Sequence, residues 1–238
     1  GHAASAFYNS GFEKAIAVIV DGAGSLKKER VDEKDETLVA EGYETESIWH
    51  CEYPGKFALV QKVYGSNAGP KVQTPVFDFD GGATTLTKTY EAVSQYLGFG
   101  FIEAGKTMGL APYGKKNLNI PPIYTEGNGG KWRTSDRNVI IPTYPNGALV
   151  NEGRFNELVT PEKIDDLTKL QSRRDLAYAV QTESQEEVLR LIRKAVETTG
   201  HKNVVLSGGY GLNCVANYYF LKELEDEIQN AEESTNKL

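Results

Sequence analysis

Gly100-Phe-Ile-Glu-Ala-Gly-Lys-Thr-Met-Gly-Leu-Ala-Pro-Tyr-Gly114 is the stretch whose reading decides what this chain is. Its opening part, Gly100 to Thr107, matches the phosphate-loop pattern G-x-x-x-x-G-K-[ST] letter for letter. A working phosphate loop joins a buried strand to a helix, so that backbone N–H groups and the helix N-terminus cradle the phosphates. Neither flank suits that geometry. Upstream, Tyr90, Val93 and Leu97 recur at helical spacing, and Gly98 stands where a helix C-cap belongs. Downstream, Gly109, Pro112 and Gly114 follow Lys106 closely and are expected to break the required helix. A nucleotide hydrolase working through residues 100–107 is therefore the alternative reading, not the leading one.

The chain has 238 residues, 39% hydrophobic and 25% charged, with a formal net charge of −7. That is enough for one large or two small globular domains with a sizeable core. The acidic balance argues against a nucleic-acid backbone as main partner, because such binding needs clustered Lys and Arg. No apolar run approaches the ~18 residues of a membrane span, and no signal peptide is visible. The two cysteines, Cys51 and Cys214, form no CxxC pair. They fit a reducing, cytoplasmic setting, with Cys214 expected to pack inside.

Ala15-Ile-Ala-Val-Ile-Val20 is a short run rich in β-branched residues that stops at Asp21-Gly-Ala-Gly24. It reads as a buried strand meeting a tight turn. Residues 25–56 read as a charged hairpin extension, and its Lys27–Glu36 charge run as a solvated face. The stretch around Thr87–Leu97 is amphipathic. Residues 115–165 carry Pro121, Pro122, Pro142, Pro145 and Pro161 and read as a loop-rich insertion or peripheral subdomain suited to variable recognition. The clearest helix is expected from about Arg174 to Thr199. Leu176, Val180, Val188, Leu191, Ile192 and Ala195 lie on one stripe, and Gly200 is placed as C′. Asn203-Val-Val-Leu-Ser207 then reads as a strand turned by Gly208-Gly209. The chain thus divides into 1–114, 115–165 and 166–238, an α/β class with an insertion.

Candidate chemistry sits in the turns. Asp21-Gly-Ala-Gly24 and Ser207-Gly-Gly209 are polar, glycine-flanked strand ends where the backbone can approach a phosphate. Each alone also reads as a plain turn. Asp21 can position a metal or a ribose hydroxyl, and Asn213 can both donate and accept toward adenine or ribose. His2 is the sharpest metal candidate, although Gly1-His2 also reads as the remnant of a cleaved tag. His50 reads as a strand residue. His201, just after Gly200, is expected at a helix C-terminus or in solvent. Lys106 could steady a phosphate oxygen, and Glu103 could act as a general base; both also read as solvated surface charges.

Three segments together carry a family resemblance. Glu103-Ala-Gly-Lys-Thr-Met-Gly-Leu-Ala-Pro-Tyr-Gly114, His2-Ala-Ala-Ser-Ala-Phe-Tyr8 and Leu206-Ser-Gly-Gly-Tyr-Gly-Leu-Asn-Cys214 resemble, in order, motifs of the O-carbamoyltransferases of the nodulation and antibiotic-tailoring type. The resemblance covers about two thirds of the chain. It implies an actin-like, RNase H-like (ASKHA) duplicated α/β fold, incomplete at both ends. It implies carbamoyl phosphate as donor, ATP, carbamoyl adenylate as intermediate, and a substrate hydroxyl as acceptor. A divalent metal, usually iron, would be held by His2 and Asp21. Gly22, Gly24, Ser207, Gly208, Gly209 and Asn213 would bind the nucleotide. Asp21, Lys106 and Glu103 would serve the transferred group. The family's first metal histidine would precede Gly1, its D-x-G segment is not visible, and its adenylate-forming domain would follow Leu238. The chain is therefore expected to be a part of a longer enzyme, not active alone, with room for a homodimer. A tRNA threonylcarbamoyl-transferring relative of the same fold and a non-catalytic binding or assembly module are the remaining rivals.

Overall fold

Lys14–Val20 forms strand β1, and its side chains alternate between two hydrophobic layers. Ala15, Ala17 and Ile19 pack with Phe7, Cys51 and Val205 on one face. Ile16, Val18 and Val20 pack with Leu86, Val93, Leu176 and Val180 on the other. Burial on both faces is why this run is continuously apolar instead of alternating. Each such Val or Ile contributes roughly 1.5–3 kcal/mol of burial free energy.

The computed structural model describes residues 1–30, 39–81, 85–100, 102–126, 133–135, 140–145, 148–150 and 170–235. Helix α1 (His2–Ser10) leads into β1 through Gly11. Strands β2 (Leu26–Arg30), β3 (Val39–Glu52), β4 (Lys56–Ser66), β5 (Lys71–Gln73) and β6 (Phe77–Gly81) follow. Helices α2 (Leu86–Tyr96) and α3 (Ala104–Leu110) come next, then a 3-10 turn at Ala111–Tyr113. Four three-residue strands pair as two small ribbons, Tyr124–Glu126 (β7) with Arg133–Ser135 (β8) and Ile140–Pro142 (β9) with Ala148–Val150 (β10). Helix α4 (Gln171–Thr199), strand β11 (Val204–Ser207), a 3-10 turn at Gly209–Leu212 and helix α5 (Cys214–Thr235) complete the described chain.

The main sheet is mixed, with order β11-β1-β3-β4-β6-β5 and β2 pairing β3. β1 runs antiparallel to β3, β3 antiparallel to β4, and β1 parallel to β11. The architecture is α/β, as expected. α1 covers one face near β1 and β11, while α2 and α4 cover the other. The hairpin expected over 25–56 falls partly on 31–38, outside the described residues. Most of the insertion expected over 115–165 lies outside them as well.

Two local expectations are corrected. Gly109 does not break a helix; it lies within α3, which is seven residues long and stops before Pro112. Pro112 sits in the 3-10 turn, where its missing N–H costs little. Cys214 is exposed at the start of α5, whereas Cys51 is buried. The helix expected from Arg174 begins three residues earlier, at Gln171, whose amide donates to Asp175 at 2.7 Å. It ends as expected at Gly200, in the left-handed region at φ 71°. Gly114 has its own constraint: a Cβ there would sit 2.0 Å from the Arg174 carbonyl oxygen of α4. The final glycine of the 100–114 segment is thus a packing requirement.

Leu176 is fully buried between α4 and β1. Leu176→Ala should lower unfolding free energy by about 2–5 kcal/mol, read as a lower midpoint in urea with an unchanged slope.

Candidate functional site

β1 and β11 are parallel neighbours, with Ile19 opposite Ser207, so both strands end on the same edge. Their following turns are therefore side by side. The fit is close: a Cβ on Gly208 would lie 2.2 Å from the Val20 carbonyl oxygen, and Gly208 has φ +95°. Only glycine satisfies both conditions. Oδ1 of Asp21 accepts the N–H of Gly22 at 2.9 Å and that of Gly209 at 3.2 Å, tying one turn to the other. Its other oxygen, Oδ2, faces Nε2 of His2 at 3.2 Å. His2 opens α1, and Phe7 one turn on anchors that helix in the core. Three segments remote in the chain thus meet at one carboxylate. The His2 side chain is 55% exposed and that of Asp21 27%, so solvent and ligands can reach the pair.

The spacing of the pair bears on whether it can hold a cation. Adjacent ligands of a six-coordinate ion with bonds of about 2.1 Å stand about 3 Å apart. The 3.2 Å between Nε2 and Oδ2 suits two such ligands. Among the described residues no cluster of three or more His, Cys, Asp or Glu forms a metal site, so His2 and Asp21 would supply two ligands. An imidazole plus a carboxylate suits iron or another divalent transition ion.

The N-terminal turn of α2 closes the site from below. A methyl group built on Gly22 or Gly209 would lie 3.7 or 3.9 Å from Cγ2 of Thr87, so the Thr87 methyl stands beside both turns. Oγ1 of Thr87 is buried and has no hydrogen-bond partner among the described residues. Lys88, 4% exposed, pairs with Glu91 at 2.9 Å. Glu46 lies behind this turn. It is 2% exposed, accepts the Leu86 N–H at 3.0 Å and accepts the Thr45 hydroxyl at 2.7 Å. Burial, with Asp21 adding a smaller push in the same direction, raises its carboxyl from 4.5 to about 7.

A cleft of about 490 Å³ opens beside the turns, between α2, α3 and the Gly209–Leu212 turn. Tyr90, Glu91, Ile102, Met108, Leu212 and Asn213 are among its walls. Its floor is fixed by side-chain hydrogen bonds: the Tyr90 hydroxyl donates to Gln181 at 2.8 Å, and Tyr210 meets Ser184 at 2.8 Å. Burial raises the Tyr90 and Tyr210 hydroxyls well above the usual tyrosine range, so both stay protonated donors.

The other sequence candidates fall differently. The N–H of Gly24 bonds the Glu44 carbonyl at 2.7 Å, so it is not free for a phosphate. Asn213 lines the cleft, but its Oδ1 accepts the Ala216 N–H at 3.0 Å, in the first turn of α5, and its amide donates to Gln181 at 2.9 Å. Glu103 caps the N–H of Gly100 at 2.8 Å and pairs with Lys106. The hydrogen bond from Lys106 holds its carboxyl below the usual range, which weakens it as a base. No described contact brings Glu103 or Lys106 to Asp21. Thr107, the hydroxyl of the phosphate-loop pattern, is fully buried and donates to Ser94 Oγ at 2.7 Å. α2, not a strand, is the element preceding Gly100, so the phosphate-loop alternative lacks its geometry. His50 and His201 stack on each other at 4.5 Å between ring centroids, with His50 on β3. The sequence reading missed Glu46, Thr87, Lys88 and Gln181. A lysine on the buried face of α2 was the available signal.

The α/β domain thus sets paired glycine turns at the carboxyl ends of two parallel strands, beside a cleft. Residues 1–226 match the family described as Carbamoyltransferase N-terminus, and the chain belongs to that family. It is 26% identical over 231 residues to the uncharacterized protein sll1178 of Synechocystis sp., covering 93% of this chain and 31% of that protein. It is 27% identical over 225 residues to the nodulation protein NolNO of Sinorhizobium fredii, covering 93% of this chain and 26% of that one. The chain thus spans less than a third of the length of these curated relatives. No helix among the described residues is long and apolar enough to cross a membrane.

Gly208→Ala should force the two turns apart and cost about 2 kcal/mol or more, read as a lower thermal midpoint. Glu46 supplies a second expectation. Its folded-state value lies above its unfolded one, so its contribution to stability is full below pH 4.5 and is lost as pH rises through about 7. In chelator-treated protein, the stability of the parent relative to Glu46→Gln should fall by roughly 3 kcal/mol between those limits. Parallel urea titrations at several pH values measure this.

Proposed function

We propose that this chain is part of a carbamoyltransferase that passes a carbamoyl group from carbamoyl adenylate to a substrate hydroxyl. The observation carrying the reading is the single carboxylate of Asp21, which joins His2 to the Gly209 turn. Family membership supplies the reaction class. The antiparallel run β1-β3-β4, with β11 added parallel to β1, supports the ASKHA reading of the fold. On that reading, residues 1–114 and 166–238 are two parts of one core, with 115–165 inserted between them.

In the proposed transfer, the acceptor oxygen attacks the carbamoyl carbon. A tetrahedral oxyanion forms, and the bond from that carbon to the phosphate oxygen of AMP then breaks. The hydroxyl proton ends on the released phosphate or in water. The nucleoside would occupy the cleft of Tyr90, Met108 and Leu212, with its phosphate at the Ser207-Gly208-Gly209 turn. Ser207, Gly208, Gly209 and Gly22 would act by letting the chain approach closely. Asn213 would act by holding the turn, since its amide is already engaged. The Thr87 hydroxyl, buried and unpartnered among the described residues on a side chain beside the two turns, would be the donor to a developing oxyanion. Orientation of the two reactants supplies the larger part of such an acceleration. A divalent ion held by His2 and Asp21 would, when bound, supply Lewis-acid polarisation. Iron is favoured by the resemblance to the family. Carbamoyl phosphate and ATP would be used on a further domain to make the adenylate. Lys106 would serve as a rim cation for the incoming phosphate, and Glu103 would hold it in place. A homodimer and a cytoplasmic setting complete the proposal.

Metal analysis of the parent, His2→Ala and Asp21→Ala, with calorimetry of a non-hydrolysable sulfamoyl-adenosine analogue, tests this reading. Either substitution should weaken divalent-ion binding at least tenfold. Asp21→Ala should also weaken the analogue by releasing Gly209. The reading is overturned if both variants keep the metal and the analogue affinity of the parent. ATP hydrolysis lost in Lys106→Ala, with metal content unchanged, would instead favour a nucleotide hydrolase.

A further inference from the structure

We propose that Glu46 is a positioning residue of this site: from strand β3 it caps the first turn of α2 and so sets Thr87 against the Asp21 and Gly209 turns. The first N–H groups of any helix have no partner within it and need one from outside. Thr85 occupies the N-cap position of α2 but makes no side-chain cap bond. Its hydroxyl is engaged instead by Tyr144 at 2.8 Å. The Leu86 N–H is left to the carboxyl of Glu46, at 3.0 Å. The cap therefore comes from another element, forty residues away in sequence. That has a geometrical consequence a local Ser or Thr cap lacks: it fixes where the helix starts relative to the sheet.

The sheet side of the link is equally specific. Glu46 lies opposite Val20, the last residue of β1. Its neighbour Thr45 accepts the Asp21 N–H through its carbonyl at 3.0 Å. The Thr45 hydroxyl donates to Glu46 Oε2 at 2.7 Å and also reaches the Val63 carbonyl at 3.2 Å. Two consecutive residues of β3 thus hold both halves of the site, Thr45 the Asp21 turn and Glu46 the start of α2. Tyr124 fastens the same turn from a third side, its hydroxyl donating to the Leu86 carbonyl at 3.0 Å. Thr87, one residue beyond the cap, is the side chain whose methyl group stands beside both glycine turns. Glu46 touches no bound group itself; it acts through Leu86 and Thr87.

The proposal rests on the nucleotide reading of the cleft only for its binding arm. The experiment uses the full chain as parent, Glu46→Ala and Glu46→Gln, with AMP as probe. Hydrogen exchange is followed at the Leu86–Lys88 amides and at β1, and AMP affinity is measured by calorimetry. The Gln amide oxygen can accept from Leu86, and the Thr45 hydroxyl keeps Val63 as partner. Glu46→Ala should speed exchange at Leu86–Lys88 at least tenfold, leave β1 protected, and weaken AMP about tenfold. Glu46→Gln should restore both to within about threefold of the parent. Should Glu46→Ala not fold, Glu46→Leu, which fills the space without an acceptor, takes its place. Unchanged exchange at Leu86–Lys88 overturns the proposal. So does equal loss of protection in β1, which marks a merely structural role, or a Gln variant as impaired as Ala. A parent that binds no AMP defeats the nucleotide reading of the cleft, and the exchange arm still decides the role of Glu46.

Discussion

Parallel pairing of β1 with β11 is the constraint on which the rest of this structure depends. It places two strand ends, nearly two hundred residues apart in sequence, on one edge of the sheet. The approach of Gly208 to the Val20 carbonyl is close enough to exclude any side chain. Once that contact exists, Asp21 has two N–H groups within reach, one from each turn. Its second oxygen is then left to face His2. Without the pairing, Asp21 and Gly209 would lie in separate turns with no hydrogen bond between them.

The layer beneath the site is held by β3, whose residues 45 and 46 serve both the strand turn and the helix start. A buried carboxyl is a costly way to cap a helix, since burial opposes its charged form. Serine or threonine at the N-cap would do the job locally at lower cost. The arrangement makes sense where the relative position of sheet and helix matters more than the helix end itself. That is the situation around Thr87, whose methyl group stands beside both turns.

The segment from Gly100 to Gly114 has glycines and a hydroxyl at the spacing of a phosphate loop, for different physical reasons. Thr107 is directed into the core toward Ser94, Gly114 allows the chain to cross α4, and Ala104 and Met108 form a wall of the cleft. The pattern matches in letters but not in surroundings. What distinguishes the two is the element in front, here a helix with a buried apolar face.

Much of this was readable from the residues alone. β1, the long helix ending at Gly200 and the strand before Ser207 follow from short-range pattern, because apolar periodicity and glycine caps are local effects. Asp21 and the Ser207-Gly-Gly209 turn stood out as polar, glycine-flanked strand ends, and His2 through the family resemblance of its segment. The exposure of Cys214, the capture of Asn213 by Gln181 and Ala216, and the pairing of Glu103 with Lys106 were not readable, since each depends on what packs alongside. Glu46 shows the boundary best. Along the chain it is one of many acidic residues in a charged stretch; only the placement of β3 behind α2 turns it into the partner of the Leu86 N–H. The sequence determined the strands, the helix ends and the glycine turns, which depend on neighbours in the chain. Tertiary structure decided which polar groups met, because a hydrogen bond depends on distance in space and not along the polypeptide.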